Sequence, residues 1–218
     1  MCKLKSAIIL KDRVFIPDYD SHTDMLAELG IADTRENAER LFVRAELSPK
    51  DGDVFTPVDT WVFNVDQDIR PEWFVEEYEK QRMVEAVTEW AKERIHIGVD
   101  GLKINSGSDH YIKDCTDIEI CDNATVKYIC DNATVKYIYG NATVEYIRGS
   151  ATVENIYGSA TVKYIYGSAT VIGSPYGWAN KDKLILSGNA TFKDNQAKVI
   201  YQSGEWELRL VGKDGKIC

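Results

Sequence analysis

The 218 residues contain no apolar run approaching the roughly 20 residues that a bilayer-spanning helix needs, so no membrane span is expected. They also hold no glycine-rich phosphate loop, no G-x-S-x-G elbow and no H-E-x-x-H helix, which removes common nucleotide, hydrolase and metalloprotease signatures. Cysteine occurs five times, at Cys2, Cys115, Cys121, Cys130 and Cys218. That is an odd number without C-x-x-C spacing, so neither a disulfide framework nor a zinc site is implied and reduced thiols are expected. Clustered Lys and Arg are lacking too. Nucleic-acid binding depends on grouped cations that release phosphate counterions, so no direct nucleic-acid partner is expected. The apolar stretch at 7–10 is shorter than the apolar core of about 7–15 residues in a secretory leader, so a cytoplasmic location is expected.

What is present is a soluble composition, 44% apolar and 28% charged, in a chain long enough to bury its own core. The net charge of -9 is lopsided. Residues 1–104 carry 22 Asp/Glu against 14 Lys/Arg, which leaves 13 against 12 for the rest. An acidic N-terminal domain serves solubility and also attracts basic partners. Asp51, Asp53, Glu72, Glu76 and Glu77 are its candidate contact residues, and a surface imitating DNA is the sharper reading.

From Cys121 the chain reads CDNATVKYI, CDNATVKYI, YGNATVEYI, RGSATVENI, YGSATVKYI and YGSATVIGS, six units of nine residues. Ala, Thr and Val never vary, and Ile closes the first five units. Ala and Val two apart share one strand face, so both line an interior. Ile three residues beyond Val must also turn inward, which requires a bend near the Lys/Glu-Tyr pair. The first position varies among Cys, Tyr and Arg, a tolerance that fits solvent. The second and third, Asp-Asn, Gly-Asn or Gly-Ser, favour corners because they accept positive φ or bond the local backbone.

Nine residues cannot close around their own side chains. Two units per turn, a coil of 18 and a parallel β-solenoid of three coils follow. Residues 18 apart should stack: Tyr128 under Tyr146 and Tyr164, Tyr139 beside Tyr157, and Asn123 beside Asn141. Such stacking explains the N-A-T sequons without sugars, and it sets Cys121 and Cys130 on opposite sides. The period resembles the calcium-binding β-roll, but the G-G-x-G-x-D carboxylates are missing, so no metal is expected. The candidate solenoid face is Tyr128, Tyr137, Tyr139, Tyr146, Tyr157, Tyr164 and Tyr166, either a recognition surface or cover for the coil edges.

Residues 104–109 read as a linker and 111–120 as an irregular first coil. Pro175-Tyr176-Gly177-Trp178 breaks the period. Short strands at 184–186, 190–193, 197–201 and 206–211 suggest a cap. The organisation is therefore an acidic α+β domain over 1–104, a nonapeptide-repeat solenoid over 105–178 and a β-rich C-terminal cap over 179–218. In the first domain, 7–10 and 14–16 suggest a hairpin, 41–47 a strand, and 60–65 a half-buried strand with Trp61, Phe63 and Val65 on one face. Helices are expected over 21–29, with Ser21 as cap and Gly30 as stop, and over 34–40. The clearest helix runs over 71–94, with Pro71 at its first turn and a stripe of Phe74, Tyr78, Val84, Val87 and Ala91.

Catalytic candidates are few. Asp18, Asp20, His22 and Asp24 alternate like metal ligands, but a helix from Ser21 onward would turn them apart. His96 lies in a strand-like run and is expected at a core or edge position; His110 lies at the linker. Removal of Met1 would expose Cys2 as an N-terminal nucleophile, although the first domain is small for such hydrolases.

The stretches MCKLKSAIILKDRVFIPDYDSHTDML, FVRAELSPKDGDVFTPVDTW and VDQDIRPEWF, joined to N-A-T-V repeats, resemble uncharacterised proteins of gut bacterial phages and prophages. The resemblance implies a setting, the cytoplasm of a bacterial host, and no activity or cofactor. In that setting a non-enzymatic binding protein is expected, with a host protein as partner. An inhibitor of an antiviral defence nuclease, in the manner of an anti-CRISPR protein, is the sharper form. A self-associating structural module and a small enzyme using Cys2 or the Asp18–Asp24 cluster are the alternatives.

Overall fold

The computed structural model describes residues 5–180, 184–194 and 199–202. They belong to two compact units, 1–93 and 94–218. In the first, β1 (Lys5–Leu10), β2 (Val14–Phe15), β3 (Phe42–Ser48) and β4 (Val62–Val65) form an antiparallel sheet in the order β2-β1-β3-β4. The hairpin places Ile9 opposite Val14, as the Lys11-Asp12-Arg13 break requires. In β4, Phe63 and Val65 are half-buried while Val62 and Asn64 face solvent, and Trp61, just before the strand, is buried. Helix α1 (His22–Glu28) is capped by Ser21, whose Oγ accepts from the Asp24 amide at 3.3 Å, and Gly30 follows at φ 67°. Helix α2 (Arg35–Ala38) is capped in the same way by Thr34. Ile8, Met25, Leu26, Ala38 and Phe42 join these helices to the sheet in one core.

Helix α3 (Glu76–Arg94) departs from expectation. Residues 71–75 make a turn closed by the Phe74 amide on the Pro71 carbonyl at 3.0 Å, so the helix starts five residues after Pro71. Phe74 therefore lies outside it and does not set its phase. The buried stripe is Glu79, Met83, Val87 and Ala91, at spacings of four, and Tyr78 is 61% exposed. Burial of the Glu79 carboxylate is compensated by Arg82 at 2.7 Å, which also donates to the Leu10 carbonyl at 3.2 Å.

The second unit is a parallel β-solenoid of about five turns with 18 residues per coil. Its strands are β5 (Ile95–Ile97), β6 (Lys103–Ile104), β7 (His110–Lys113), β8 (Ile118–Ile120), β9 (Thr125–Cys130), β10 (Thr134–Ile138), β11 (Thr143–Ile147), β12 (Thr152–Gly158), β13 (Thr161–Ile165), β14 (Thr170–Trp178), β15 (Ile185–Leu186), β16 (Thr191–Asp194) and β17 (Val199–Gln202). Odd-numbered strands β5 to β15 make one parallel sheet and even-numbered β6 to β16 the other, to which β17 adds antiparallel. The register is the repeat itself: Thr125, Val126, Tyr128 and Ile129 pair with Thr143, Val144, Tyr146 and Ile147, and these with Thr161, Val162, Tyr164 and Ile165. The invariant Ala and Val of all six units, and the Ile of the first five, are fully buried. Val126 and Ile129 point inward with Lys127 and Tyr128 outward between them, which is the bend that the Val-to-Ile spacing demands.

Every corner of the repeats uses positive φ, at Asp122 and Asp131 early and at Gly140, Gly149, Gly158 and Gly167 later. At 140, 149 and 167 the change from Asp to Gly has a packing cause. At the Asp131 corner the Asn132 amide donates to the Asp114 carboxylate at 3.1 Å, whereas one coil later the Ser150 amide reaches the Asp131 backbone carbonyl at 2.8 Å. The closer backbone approach leaves no space for a Cβ at 149.

Two expectations are corrected. The ladder begins at Ile95, not at 105, because β5 and β6 pair with β7 and β8; residues 104–109 hold a corner of the coil rather than a linker. Ile104, Ile112, Ile118 and Ile120 supply the interior without the repeat sequence. At the other end β15 and β16 continue the parallel pairing, so 184–194 extends the coil, and the break at Pro175 appears as a register shift within β14. Second, the first position of the unit does not face solvent. Cys121 and Cys130 are buried, and Tyr139, Arg148, Tyr157 and Tyr166 are half-buried, because each stacks on the residue 18 away at the closing edge of the coil. Cys2, Cys218 and the strand expected at 206–211 lie outside the described residues.

Candidate functional site

The repeat places a Tyr at the eighth position of four of its six units, Tyr128, Tyr137, Tyr146 and Tyr164, and in-register stacking turns those on one sheet into a column. On the odd-numbered sheet Tyr128 and Tyr146 have ring centroids 5.3 Å apart, and Tyr146 and Tyr164 5.1 Å apart, with interplanar angles of 20° and 13°. Tyr111 adds a fourth ring below, 5.8 Å from Tyr128. It was hidden in the sequence because it stands 17 residues before Tyr128, and the fold absorbs the missing residue as a register shift between His110 and Tyr111. At the adjoining corner the first-position stack of Cys130, Arg148 and Tyr166 borders this column. The Arg148 guanidinium lies 4.5 Å from the centroid of Tyr128, and Tyr166 meets Tyr146 edge-on at 6.2 Å. A hydrogen bond to the Tyr166 phenol is among the effects that hold Arg148 above its ordinary pKa against its burial.

The even-numbered sheet lacks a continuous column, since Asn155 interrupts the Tyr series. Instead Tyr139 and Tyr157 stack at the opposite corner, 5.2 Å apart and 2° from parallel, and Tyr137 meets Tyr157 edge-on. Lys103, Glu119 and Tyr139 form a hydrogen-bonded set there; the Tyr139 hydroxyl and then Lys103 hold the Glu119 carboxyl below its ordinary pKa. The seven tyrosines thus form two clusters at opposite corners. Tyr137 and Tyr164 are the most exposed, and the others are half-buried. Stacked rings cover one another's faces, which leaves edges and hydroxyls for contact.

Beside the longer column runs an alternating charge ladder. Lys127 bridges Asp109 at 3.5 Å and Glu145 at 3.2 Å, and Lys163 meets Glu145 at 3.3 Å. At the corner the Asn141 amide donates to Asn123 at 3.4 Å, the stacking that accounts for those sequon asparagines. Cys121 and Cys130 are both free thiols, and burial first of all pushes Cys130 up to about 11.

In the first unit the candidate acidic residues sit on different elements. Asp51 and Asp53 occupy the turn after β3, where Asp53 accepts from the Phe55 amide at 3.0 Å. Glu76 pairs with Arg70 at 2.7 Å, Glu77 is exposed on the first turn of α3, and Glu72 lines a shallow groove of about 520 Å³ with Glu39, Arg40, Arg70 and Trp73. The Asp18–Asp24 series is pulled apart. Asp20 holds Lys5 at 3.2 Å and the Ser6 amide, while His22 meets Asp66 at 3.3 Å and the Ala45 carbonyl at 3.2 Å. Among the described residues no three His, Cys, Asp or Glu side chains converge as metal ligands, and no helix is long and apolar enough to cross a membrane.

His96 and His110, expected at an edge and in a linker, are brought together. The imidazoles lie 16° from parallel, with His96 Nε2 3.2 Å from His110 Nδ1, and His110 Nε2 faces the Ser106 carbonyl at 2.9 Å. Burial, His110 and Arg94 push His96 down to about 4. Set against protein-family models, curated proteins and solved structures, the chain matches none.

Proposed function

We propose that the protein is a non-enzymatic binding protein that docks a partner protein on the corner formed by Tyr128, Tyr146, Tyr164, Tyr166 and Arg148. The observation that carries this reading is the column of stacked rings with one guanidinium set against it. Tyr and Arg dominate binding hot spots because they give large contact area and directed hydrogen bonds. A column already locked by its neighbours loses little further rotamer entropy on contact. Each coil repeats the same hydroxyl, so the surface suits an extended or flat protein partner.

The finer form of the proposal rests on the resemblance to phage and prophage proteins and on the acidic first unit. The partner is then a host protein in the bacterial cytoplasm, and an antiviral defence nuclease is the class whose basic surface that acidity fits. The test is affinity capture of the tagged protein from host lysate at low and high salt, with a Tyr146→Ser/Tyr164→Ser variant alongside. Capture of one host nuclease, lost in the double variant, is the expected result. Recovery of the bait alone as a large self-assembly would refute it and establish the solenoid as an assembly module.

A further inference from the structure

We propose that His96 and His110 form a two-imidazole site for a divalent transition-metal ion such as Zn²⁺, which staples the first coil of the solenoid. Strand β5 is three residues long, stands at the end of its sheet and, among the described residues, pairs only with β7. The two rings reach from β5 to the start of β7, so one ion held between them would tie this end strand to its neighbour.

The geometry suits an ion. Two nitrogen ligands at 2.0–2.1 Å from a tetrahedral zinc stand about 3.3 Å apart, and His96 Nε2 and His110 Nδ1 are separated by 3.2 Å. The Ser106 carbonyl can only accept, so it fixes the His110 proton on Nε2 and leaves Nδ1 with its lone pair toward His96. His110 is 5% exposed and held by this bond, while His96 is half-buried and gives solvent a path to the pair.

With both rings neutral and no ion present, His96 Nε2 must carry the proton and donate it to His110 Nδ1. On metal binding His96 loses that proton to solvent and takes one at Nδ1, so its tautomer changes with no net proton release. The lowered basicity of His96 keeps the ring neutral, the form that ligates. Water completes the coordination, since no third ligand converges here among the described residues. The Arg94 cation opposes a second positive charge, which makes the site one of modest affinity.

The test is long-range proton–nitrogen NMR of the imidazoles at about pH 7.5, above the ordinary imidazole pKa, during titration of the full chain with zinc chloride, together with thermal unfolding. Expected are saturable shifts of both rings at one zinc per chain, transfer of the His96 proton from Nε2 to Nδ1, and a rise in the unfolding midpoint. His96→Gln, on the more accessible ring, should keep the fold and lose the midpoint rise. Unchanged His96 and His110 nitrogens in saturating zinc would overturn the proposal, as would equal stabilisation of His96→Gln and the wild type.

Discussion

Replacing Gly149 by Ala should destabilise the solenoid more than replacing Gly158, although the two glycines have nearly the same backbone conformation, φ 68° and 69°. Both substitutions force an L-residue into the left-handed region, at a cost of about 1–2 kcal/mol. At 158 nothing more is lost, because an added Cβ would meet no atom closer than the Gly140 amide nitrogen at 3.7 Å. At 149 it would fall 2.8 Å from the Asp131 amide nitrogen and 2.9 Å from its Cα, both backbone atoms with no freedom to swing aside. Relief requires the corners to part, straining the bonds from the Ser150 amide to Asp131 and from the Ser168 amide to Gly149, each 2.8 Å long. Overpacking of this kind costs roughly 1–3 kcal/mol, so Gly149→Ala should lose about 2–5 kcal/mol in all. Urea unfolding followed by far-ultraviolet circular dichroism measures the difference, read as a shift in midpoint at constant slope. Gly167→Ala, with its Cβ 3.1 Å from the Gly149 amide nitrogen, should fall between them. Equal losses at 149 and 158 would refute the close-approach reasoning and leave backbone strain as the whole effect.

Tyr146→Ala removes a ring stacked on both sides and met edge-on by Tyr166, and should cost roughly 1.5–4.5 kcal/mol beyond lost area, at about 0.5–1.5 per aromatic pair; Tyr146→Phe should restore nearly all of it in the same urea experiment. His96 has its pKa lowered by burial, His110 and Arg94, so the unfolded chain binds the extra proton first. Its contribution is present above the unfolded value near 6.5 and is lost as pH falls toward about 4, and His96→Asn should flatten stability against pH over that window. Deleting residues 139–156, one whole coil, should preserve the β spectrum and a cooperative transition. Deleting residues 139–147 alone should lower the unfolding midpoint more, because everything after the cut moves to the opposite sheet, β12 meets β9 in place of β10, and Asn155 replaces Tyr146 above Tyr128 and ends that ring column.

The repeats were legible because position in the unit fixes position in the coil. Invariant Ala, Val and Ile, a polar corner and an 18-residue stack suffice to place Tyr128, Tyr146 and Tyr164 in one column from the order of residues alone. The coils at either end were less legible. Residues 95–120 carry the same inward pattern with other residues, and their positive-φ corners, at Gly98, Gly101, Gly107, Asp109, Asp114 and Asp117, do not fall at the nine-residue spacing of the repeats. Period detection fails there, although the packing requirement is unchanged. The first position misled for a related reason. Its variety looks like solvent tolerance, but Cys130, Arg148 and Tyr166 each fill the same edge of the coil in a different way. In α3 the sequence supports two apolar phases, and the burial of Met83 with Glu79 paired to Arg82 selects one of them.

The sequence by itself determined what is local or periodic: the cap at Ser21, the hairpin, the acidic first half, the coil length and the identity of the stacked residues. Only the tertiary structure decided what depends on residues far apart in the chain meeting at particular distances. The solenoid starts at Ile95 because β5 finds β7, Tyr111 joins the column through a one-residue register shift, and His96 meets His110 across a corner that reads as a linker. The physical reason is that periodicity encodes which face a side chain takes, whereas the partner on that face is set by how the backbone closes around the core.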